Sequence, residues 1–263
     1  MNDSARWPWP RLIAHRGGGR LAPENTLAAF RVGQAHGFRM MEYDVQLSAD
    51  DVPILLHDED IRRTSSGRGV AHRLDLAQLR RHDFGAWHSA AFADEPIPTL
   101  AEVAAFCQAH GLAGNIEIKP ASGLEAHTGR IVAGEAARLW SQTALPPLLS
   151  SFSACALEAA ARVAPQLPRA LLVQGDVPAD WQERVQRLGA IGLNVHHSRL
   201  DEMRVRQIIA SGHTLVAWTV NDHARAQALL DWGCHAIVTD VLDTINPQTL
   251  SQGAQLRRSS GRR

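Results

Sequence analysis

Two acidic residues two positions apart, Glu42 and Asp44, interrupt a largely apolar segment, MMEYDVQL. Because side chains alternate between the two faces of a β-strand, both carboxylates project from the same face. The segment NIEIK places Glu117 on a second strand in the same way. Three carboxylates from neighbouring strands make an all-oxygen ligand set that suits a hard divalent cation, Mg²⁺ or Ca²⁺. Two interpretations without metal stay open: solvated acids on an edge strand, or an ion pair between Glu117 and Lys119.

A histidine is predicted to face the first acidic pair across a β-hairpin. The loop between the segments MMEYDVQL and PILLH is far too short for a crossover helix, so these segments should pair antiparallel. A turn centred between Asp50 and Asp51 sets His57 directly opposite Asp44, with their Cβ atoms about 5 Å apart. Because imidazole titrates near neutral pH, His57 is a candidate general acid or base.

A second histidine, His15, ends the first apolar segment and leads into Arg16 and the glycines 17–19. Glycine lets the backbone approach a ligand closely, and the amides here are predicted to be free to donate hydrogen bonds. The planar guanidinium of arginine can bind two phosphate oxygens at once. A divalent cation, the three carboxylates, Arg16 and Lys119 together carry a formal charge of plus one. This charge complements the single negative charge of a phosphodiester. Two histidines beside a phosphoryl group could exchange the protons that its hydrolysis requires.

The elements that would position these side chains are short apolar runs alternating with longer stretches of helical periodicity. The strand candidates are residues 12–15, 40–47, 53–57, 115–119, 148–152, 170–174, 191–195, 215–220 and 236–240. Without the return strand of the hairpin, they match the eight strands and ~250 residues of a TIM (β/α)8 barrel. A doubly wound open sheet is disfavoured, because no GxGxxG motif follows a strand.

Capping signals predict two helix boundaries. Thr99 and Glu102 form a predicted capping box ahead of LAEVAAFCQAH, and Gly111 is predicted to stop that helix. Pro23 with Asn25 is predicted to open the first helix.

Residues 1–250 are predicted to form a single TIM-barrel catalytic domain. The stretch 58–98 is interpreted as an insertion after the hairpin, and we expect it over the mouth of the active site, since long connections are usually functional. The segment 251–263 carries four arginines and no apolar pattern, so we expect a disordered basic tail.

Composition bounds the function further. The chain has 263 residues, 45% of them hydrophobic and 21% charged, which is typical of a globular protein. Its formal net charge of +0 favours neither nucleic acid nor stable membrane association as a partner. Three separated cysteines disfavour a zinc site or a disulfide framework and favour a reducing compartment. No secretory signal or transmembrane run is evident, so we expect a cytoplasmic protein.

Taken together, LIAHRGGGRLAPENTLAAF, MEYDVQLSADDVPILLHDEDIRRTSSGRG, IPTLAEV, NIEIKP, SSFS, VAWTVND and AIVTD resemble the glycerophosphodiester phosphodiesterase family, in that order and along nearly the whole chain. The resemblance implies a TIM barrel that uses a divalent cation to hydrolyse small-molecule glycerophosphodiesters to sn-glycerol 3-phosphate and an alcohol. The chain departs from the family at Val241 and Leu242, since the family commonly places a proline two positions after the TD of its last strand.

The resemblance also implies roles for the residues that match the family motifs. It makes His15 and His57 the acid and base pair, Glu42, Asp44 and Glu117 metal ligands, Arg16 and Lys119 phosphate contacts, and Asn25, Phe152 and Trp218 parts of the substrate pocket.

For the mechanism, we expect His15 to act as the base and His57 as the acid. The nucleophile is left open between water and the substrate's own 2-hydroxyl. Two other functions stay open: a lysophospholipase D or sphingomyelinase D type activity on lipids, and a phosphodiester-binding module without turnover. The insertion contains Phe84, Trp87 and Phe92 but no long apolar run, which favours a water-soluble substrate.

Overall fold

The computed structural model describes residues 7–250 of the chain. The strands of this part are β1 (Leu12–Ala14), β2 (Met40–Leu47), β3 (Pro53–Leu55), β4 (Ala113–Ile118), β5 (Leu148–Ser151), β6 (Arg169–Val173), β7 (Gly192–His196), β8 (Thr214–Trp218) and β9 (Ala236–Thr239). All except β3 pair in parallel and close into a barrel in which β9 returns to β1. The predicted TIM barrel is thereby confirmed, with β3 as an antiparallel strand on β2.

Helices cover the outside of the barrel. They are α1 (Leu27–Ala35), α2 (Leu76–Leu79), α3 (Leu100–His110), α4 (Glu125–Leu139), α5 (Ala154–Val163), α6 (Trp181–Arg187), α7 (Glu202–Ala210) and α8 (His223–Trp232). Helix α3 begins with the predicted capping box of Thr99 and Glu102, and Gly111 ends it in the left-handed conformation, so both predictions are confirmed.

The predicted start of α1 is wrong. Thr26 is the N-cap, because its hydroxyl accepts a hydrogen bond from the amide of Ala29 at 3.2 Å. Asn25 instead has a φ of 59° and directs its side chain to Asp44 on β2. The residue predicted to start the helix therefore ties the β1–α1 loop to the barrel.

The edge of β2 that faces β1 also carries β3. β1 pairs with β2 at Met41, whereas the antiparallel β3 pairs further along, beginning at Val45. Because β1 runs up this edge and β3 runs down it, the segments that follow them meet at the level of Glu42 and Asp44. These two segments contain both predicted catalytic histidines.

The predicted register of the hairpin is wrong by one residue. Asp44 faces Leu56 rather than His57, and the Leu56 amide donates to the carbonyl of Asp44 at 3.1 Å. The loop centres on Asp50, whose carboxylate accepts a hydrogen bond from the Ser48 hydroxyl at 2.6 Å. The strand ends before His57, so this residue lies outside the regular pleat.

Gln46 holds the segment that leaves β3. Its Nε2 donates to the carbonyl oxygens of Leu56, His57 and Asp58 at 2.9, 3.0 and 2.8 Å. Gln46 is buried, so these bonds are shielded from water. A side chain of β2 thus fixes the backbone on which His57 is carried.

The apolar core has an inner and an outer part. Between the strands and the helices lies one large cluster, which includes Phe30 and Tyr43. Inside the barrel, Met40 and its neighbours pack against Trp7 and Trp9, which precede β1. The amino-terminal end of the barrel is therefore closed by apolar side chains, and its polar interior lies towards the carboxyl ends of the strands.

The stretch 58–98 packs around a small core of its own. This core joins Ile54 and Leu56 of the hairpin to Ile61, Leu79 and Phe84. Between residues 7 and 250, none of the helices is long and apolar enough to cross a membrane. The predicted tail 251–263 lies outside the described residues.

Candidate active site

Three carboxylates converge inside the barrel on β2 and β4. One oxygen each from Glu42, Asp44 and Glu117 lies within 4.8 Å of the others. The parallel register sets Asp44 beside Glu117 and Glu42 beside Asn115, so all of them project into the interior. Glu42 is 5% and Asp44 1% exposed, which contradicts the interpretation of these acids as solvated charges on an edge strand.

The electrostatics of the cluster favour a bound cation. Burial and the two neighbouring carboxylates raise the pKa of Glu42 well above its ordinary value. Burial and Asp44 raise the pKa of Glu117 to about 7. Burial also opposes the charge on Asp44, but Arg16 and Lys119 offset it and lower the pKa of that carboxyl. These buried oxygens fit a hard divalent cation, which would compensate their repulsion.

The two cations at the site both contact Asp44. Arg16 Nε lies 3.4 Å from Asp44 Oδ2, and Lys119 Nζ lies 3.6 Å from Asp44 Oδ1 and 3.2 Å from Glu117 Oε1. Among the ion pairs of residues 7–250, neither cation reaches Glu42. The alternative ion pair of Lys119 with Glu117 is thus present, but Glu42 forms no ion pair with either Lys119 or Arg16.

His15 is oriented by an aspartate at the end of β9. Its Nδ1 lies 2.5 Å from Asp240 Oδ1, and its Nε2 lies 3.8 Å from Glu42 Oε2. Asn221 Nδ2 donates to the other oxygen of Asp240 at 2.9 Å. Although burial disfavours its charge, the hydrogen bonds from His15 and Asn221 lower the pKa of Asp240 to about 2. An ionised Asp240 accepts from Nδ1–H and leaves Nε2 directed at the acidic cluster.

His57 has an equivalent partner. Its Nδ1 lies 2.6 Å from Asp58 Oδ1, and Arg63 Nε donates to the second oxygen of Asp58 at 2.5 Å. The hydrogen bond from Arg63 lowers the pKa of Asp58 well below its ordinary range. Burial lowers the pKa of His57, while the charge of Asp44 opposes that shift. His57 therefore lies close enough to Asp44 to interact with it despite the corrected hairpin register.

Glu24 links the two sides of the site. Its carboxylate accepts hydrogen bonds from Arg16 Nη1 and from both terminal nitrogens of Arg63, each at 2.7 Å. Asn25, the next residue, donates to Asp44 Oδ2 at 2.9 Å and accepts from the Asp44 amide at 3.1 Å. Residues of the β1–α1 loop thus fix the orientation of both Arg16 and Asp44.

The predicted free amides after His15 are partly used within the protein. The Arg16 amide donates to Glu42 Oε2 at 3.1 Å, and the Gly19 amide donates to the His15 carbonyl at 2.8 Å. The prediction is therefore wrong for Gly19. Gly19 has a φ of 55° and lies close to the backbone of Asp240. The β1–α1 loop therefore packs against the residue that follows β9.

Three spaces adjoin the site. Inside the barrel lies a small cavity, which we call the inner cavity; His15, Glu42, Glu117, Asn194 and Trp218 are among its lining residues. A wider opening on the Lys119 side contains Phe152, whose ring meets that of Trp218 edge to face at 5.5 Å.

The opening on the other side is lined by His15, Arg16, Arg20, Trp87 and His88, among others. Trp87 and His88 belong to the stretch 58–98, so this stretch borders the site.

Several residues of the site were not among the sequence candidates. They are Glu24, Asp58, Arg63, Asn221 and Asp240. Part of their signal is present in the sequence. Glu24 and Asp58 adjoin the candidates Asn25 and His57, and Asn221 shares the segment VAWTVND with Trp218, whereas AIVTD, which Asp240 ends, contains no candidate. Reading these acids as partners of the histidines requires the tertiary structure.

Comparisons with known proteins show the family of the chain. Residues 15–244 match the Glycerophosphoryl diester phosphodiesterase family. The chain is 30% identical over 242 residues to a glycerophosphodiester phosphodiesterase of Caldanaerobacter subterraneus, covering 91% of this chain and 95% of that relative.

Solved structures are also similar to this chain. A phosphodiesterase of Oleispira antarctica, solved with the product sn-glycerol-3-phosphate, has a TM-score of 0.85 and 35% identity over 94% of this chain and 97% of its own. A glycerophosphodiester phosphodiesterase of Agrobacterium tumefaciens shares the fold, with a TM-score of 0.74 and 22% identity over 92% and 99% of the two chains. The chain belongs to the glycerophosphodiester phosphodiesterase family.

Proposed function

We propose that this protein hydrolyses glycerophosphodiesters to sn-glycerol 3-phosphate and an alcohol. The observation that carries the proposal is the buried cluster of Glu42, Asp44 and Glu117 with a histidine–aspartate pair on either side. Such a site combines a place for a cation with two groups that transfer protons. The similarity to a phosphodiesterase solved with sn-glycerol-3-phosphate supports the choice of substrate.

In this proposal Glu42, Asp44 and Glu117 hold a divalent cation, Mg²⁺ or Ca²⁺. When bound, the cation supplies charge stabilisation to the phosphoryl oxygens. Arg16 and Lys119 bind the same group from the rim, and each keeps about a fifth of its side chain exposed. Their contact with Asp44 places both cations within a few ångströms of the proposed ligands.

Each histidine would move one proton through its Nε2. Because Asp240 holds Nδ1–H of His15, the Nε2 lone pair is available to take the proton of the attacking oxygen. Asp58 holds His57 in the same way, and protonated His57 gives the Nε2 proton to the departing alkoxide as the phosphorus–oxygen bond breaks. Burial lowers the pKa of His57, which makes its imidazolium a stronger acid.

The attacking oxygen belongs either to water or to the 2-hydroxyl of the glycerol arm, which would give a cyclic phosphate. A substrate analogue without the 2-hydroxyl separates the two routes. Normal turnover of the analogue would exclude the internal route, and loss of turnover with retained binding would support it.

The substrate arms would occupy the spaces beside the cluster. Phe152 and Trp218 form an aromatic wall on one side, and Trp87 borders the opposite opening. Phe84 packs into the small core of the stretch 58–98 and is 3% exposed, so it is not available to an acyl chain. This arrangement favours a water-soluble diester over a lysophospholipid.

A cytoplasmic location remains part of the proposal. Its support is that Cys107, Cys155 and Cys234 are free thiols, with Cys155 exposed.

The test is release of glycerol 3-phosphate from several glycerophosphodiesters, with and without a chelator. His15→Ala and His57→Ala should each lower kcat by roughly 10²- to 10⁴-fold while the fold and cation binding remain. The matched control is His127→Ala, since His127 lies on the surface and pairs with Asp51. Activity that survives the chelator would exclude the metal-dependent mechanism, and preferred turnover of lysophosphatidylcholine would favour the lipid-specific alternative.

A further inference from the structure

His57 and Asp58 are neighbours in the chain, and no strand holds their side chains together. Strand β3 ends at Leu55, so both residues lie on the segment that leaves it. The side chain of Asp58 is 32% exposed, so water competes for its carboxylate. Even so, Asp58 Oδ1 lies 2.6 Å from Nδ1 of His57. A further group is therefore needed to keep the carboxylate turned towards the imidazole.

Arg63 meets this need with all three nitrogens of its guanidinium. Nε donates to Asp58 Oδ2 at 2.5 Å, and Nη1 and Nη2 donate to the two carboxylate oxygens of Glu24, each at 2.7 Å. The guanidinium is planar and rigid, so it fixes the two carboxylates relative to each other. Because Glu24 belongs to the β1–α1 loop, Asp58 is tied to that loop through Arg63.

The backbone of Arg63 is itself anchored. Arg63 ends the single helical turn Ile61–Arg63, in which Ile61 is fully buried in the small core of the stretch 58–98. The hydroxyl of Ser65, which is also buried, donates to the Ile61 carbonyl at 2.7 Å. The side chain of Arg63 therefore reaches Asp58 and Glu24 from a packed segment.

The contacts of Arg63 supply orientation more than stability. Its side chain is 45% exposed and that of Asp58 is 32% exposed, and ion pairs open to solvent contribute little to the free energy of unfolding. Removal of Arg63 should therefore leave the denaturant concentration at the unfolding midpoint nearly unchanged. Small errors in the placement of a group that transfers a proton, in contrast, cost much activity.

We propose that Arg63 is a positioning residue of the reaction: by holding Asp58 against Glu24, it keeps the His57 ring in the orientation from which Nε2 transfers its proton. This inference rests on the proposed function, in which His57 is one of the two proton-transferring groups. Because Arg63 acts through His57, its loss should resemble a weaker form of the loss of His57. The stretch 58–98 then takes part in catalysis as well as bordering the site.

The experiment compares glycerophosphocholine with the p-nitrophenyl ester of glycerol 3-phosphate. Choline leaves as an alkoxide that needs a proton, whereas p-nitrophenolate leaves as a stable anion. His57→Ala should therefore lower kcat/KM strongly for the choline ester and spare the p-nitrophenyl ester. Arg63→Gln should share this pattern, with a loss of roughly 10- to 100-fold on the first substrate and less than about threefold on the second. Combined with His57→Ala, it should add less than about twofold.

Two variants serve as controls. Arg62→Gln removes the same charge from the neighbouring residue, whose side chain is 65% exposed and pairs with Asp60, so its kcat/KM should stay within about twofold of the wild type. Arg63→Lys keeps the charge without the planar fork, so it should stay at least about fivefold below the wild type on glycerophosphocholine.

Four outcomes overturn the proposal. They are unchanged activity or equal losses on both substrates in Arg63→Gln, a double variant with His57→Ala that loses the product of the single losses, full activity of Arg63→Lys, and an Arg62→Gln variant that reproduces the loss of Arg63→Gln.

A measurement without substrate separates this inference from the proposed function. ¹⁵N NMR of the histidine rings at about pH 8 should show His57 with its proton on Nδ1. Arg63→Gln should change the nitrogen shifts of His57 and spare those of His15, since Asp240 holds His15. If the wild-type protein hydrolyses no glycerophosphodiester yet this change is seen, the proposed function fails and the role of Arg63 in holding His57 stands. If it hydrolyses them and the His57 shifts stay constant, the positioning role fails alone.

Discussion

Each proposed catalytic histidine is held through Nδ1 by an aspartate that is itself held by another side chain. Asn221 fixes Asp240, and Arg63 fixes Asp58. The aspartates differ from the central carboxylates in their pKa values, because hydrogen-bond donors lower the former while burial and mutual repulsion raise those of Glu42 and Glu117. Asp44 is the exception among the candidate ligands, because Arg16 and Lys119 lower its pKa.

Cation binding should depend on pH through Glu117. Its pKa of about 7 is raised by burial and by Asp44, so a proton competes with the cation below that pH and is absent above it. We expect the affinity for Mg²⁺ or Ca²⁺ to rise by roughly tenfold between about pH 6 and pH 8, measured by calorimetry. Glu117→Gln should weaken binding and reduce this dependence. An affinity constant across that range in the wild type would contradict the prediction.

Asp240 should contribute to acid stability. Its folded pKa of about 2 lies below the value of roughly 3.9 expected for an unfolded aspartate, so its stabilisation is present near neutral pH and is lost as the pH falls towards 2. Between about pH 6 and pH 3 the wild type should lose roughly 1 kcal/mol more unfolding free energy than Asp240→Asn. Urea denaturation at both pH values measures this, and parallel losses in the two proteins would refute it.

At the scale of elements, the site depends on two strands that share one edge of β2. His15 follows β1, which runs parallel to β2, and His57 follows β3, which runs antiparallel to β2. Gln46 of β2 donates to the backbone of the segment that follows β3. In the β1–α1 loop, the Arg16 amide donates to Glu42. Mutations that loosen either support should therefore affect catalysis without touching a proposed ligand.

Gln46→Leu tests the support under His57. The variant leaves three carbonyl oxygens without their donor, which should cost about 1–3 kcal/mol and let the His57 segment move. We expect kcat to fall at least about tenfold while the cation affinity stays within about twofold. Stopped assays and calorimetry on the same preparation check both values. Equal loss of activity and cation binding would indicate general damage instead.

Gly19→Ala tests the support under His15. Gly19 has a φ of 55°, and a Cβ placed there would lie 2.2 Å from the backbone oxygen of Asp240. The loop or the end of β9 must shift, so we expect lower stability and a clear fall in kcat.

Gly37→Ala is the matched control, because its φ is 85° but nothing lies within 4 Å of the added atom. It should cost about 1–2 kcal/mol from the backbone alone and spare kcat. Equal effects of the two variants on kcat would contradict the role given to the β1–α1 loop.

At the scale of the whole molecule, the apolar side chains that close the barrel and the proposed active site lie at opposite ends of it. Trp7 and Trp9 close the amino-terminal end, where Trp9 Nε1 donates to the Pro146 carbonyl at 2.9 Å. The polar cluster lies at the carboxyl ends of the strands, where sites of such barrels are found. The two ends should therefore respond separately to mutation.

Trp9→Ala should cost about 3–5 kcal/mol of unfolding free energy, because Trp9 is 6% exposed and its removal leaves a cavity. At a temperature where the variant remains folded, kcat should be within about twofold of the wild type. Trp87→Ala is the matched control, since Trp87 is 40% exposed and borders the mouth of the site. It should change stability little. Denaturant unfolding and a steady-state assay give both quantities, and a large kcat loss in Trp9→Ala would overturn the separation.

The sequence by itself determined the barrel, the position of the hairpin and the acidic cluster, because alternation of side chains along strands and the length of connections are local properties. The capping box at Thr99 and the stop at Gly111 are local for the same reason. The hairpin register and the start of α1 could not be obtained this way. They depend on bonds of Ser48 to its loop and of Asn25 to Asp44, which compete with the local preference.

Only the tertiary structure decided which acids accompany which bases. Asp240 lies 225 positions from His15 in the chain, and Glu24 lies 39 from Arg63, so their pairing follows from closure of the barrel. The burial of the Asn194 side chain is likewise visible only when the neighbouring strands have been placed around it. Local periodicity assigns a side chain to a face, whereas its partners are set by which strands meet at that face.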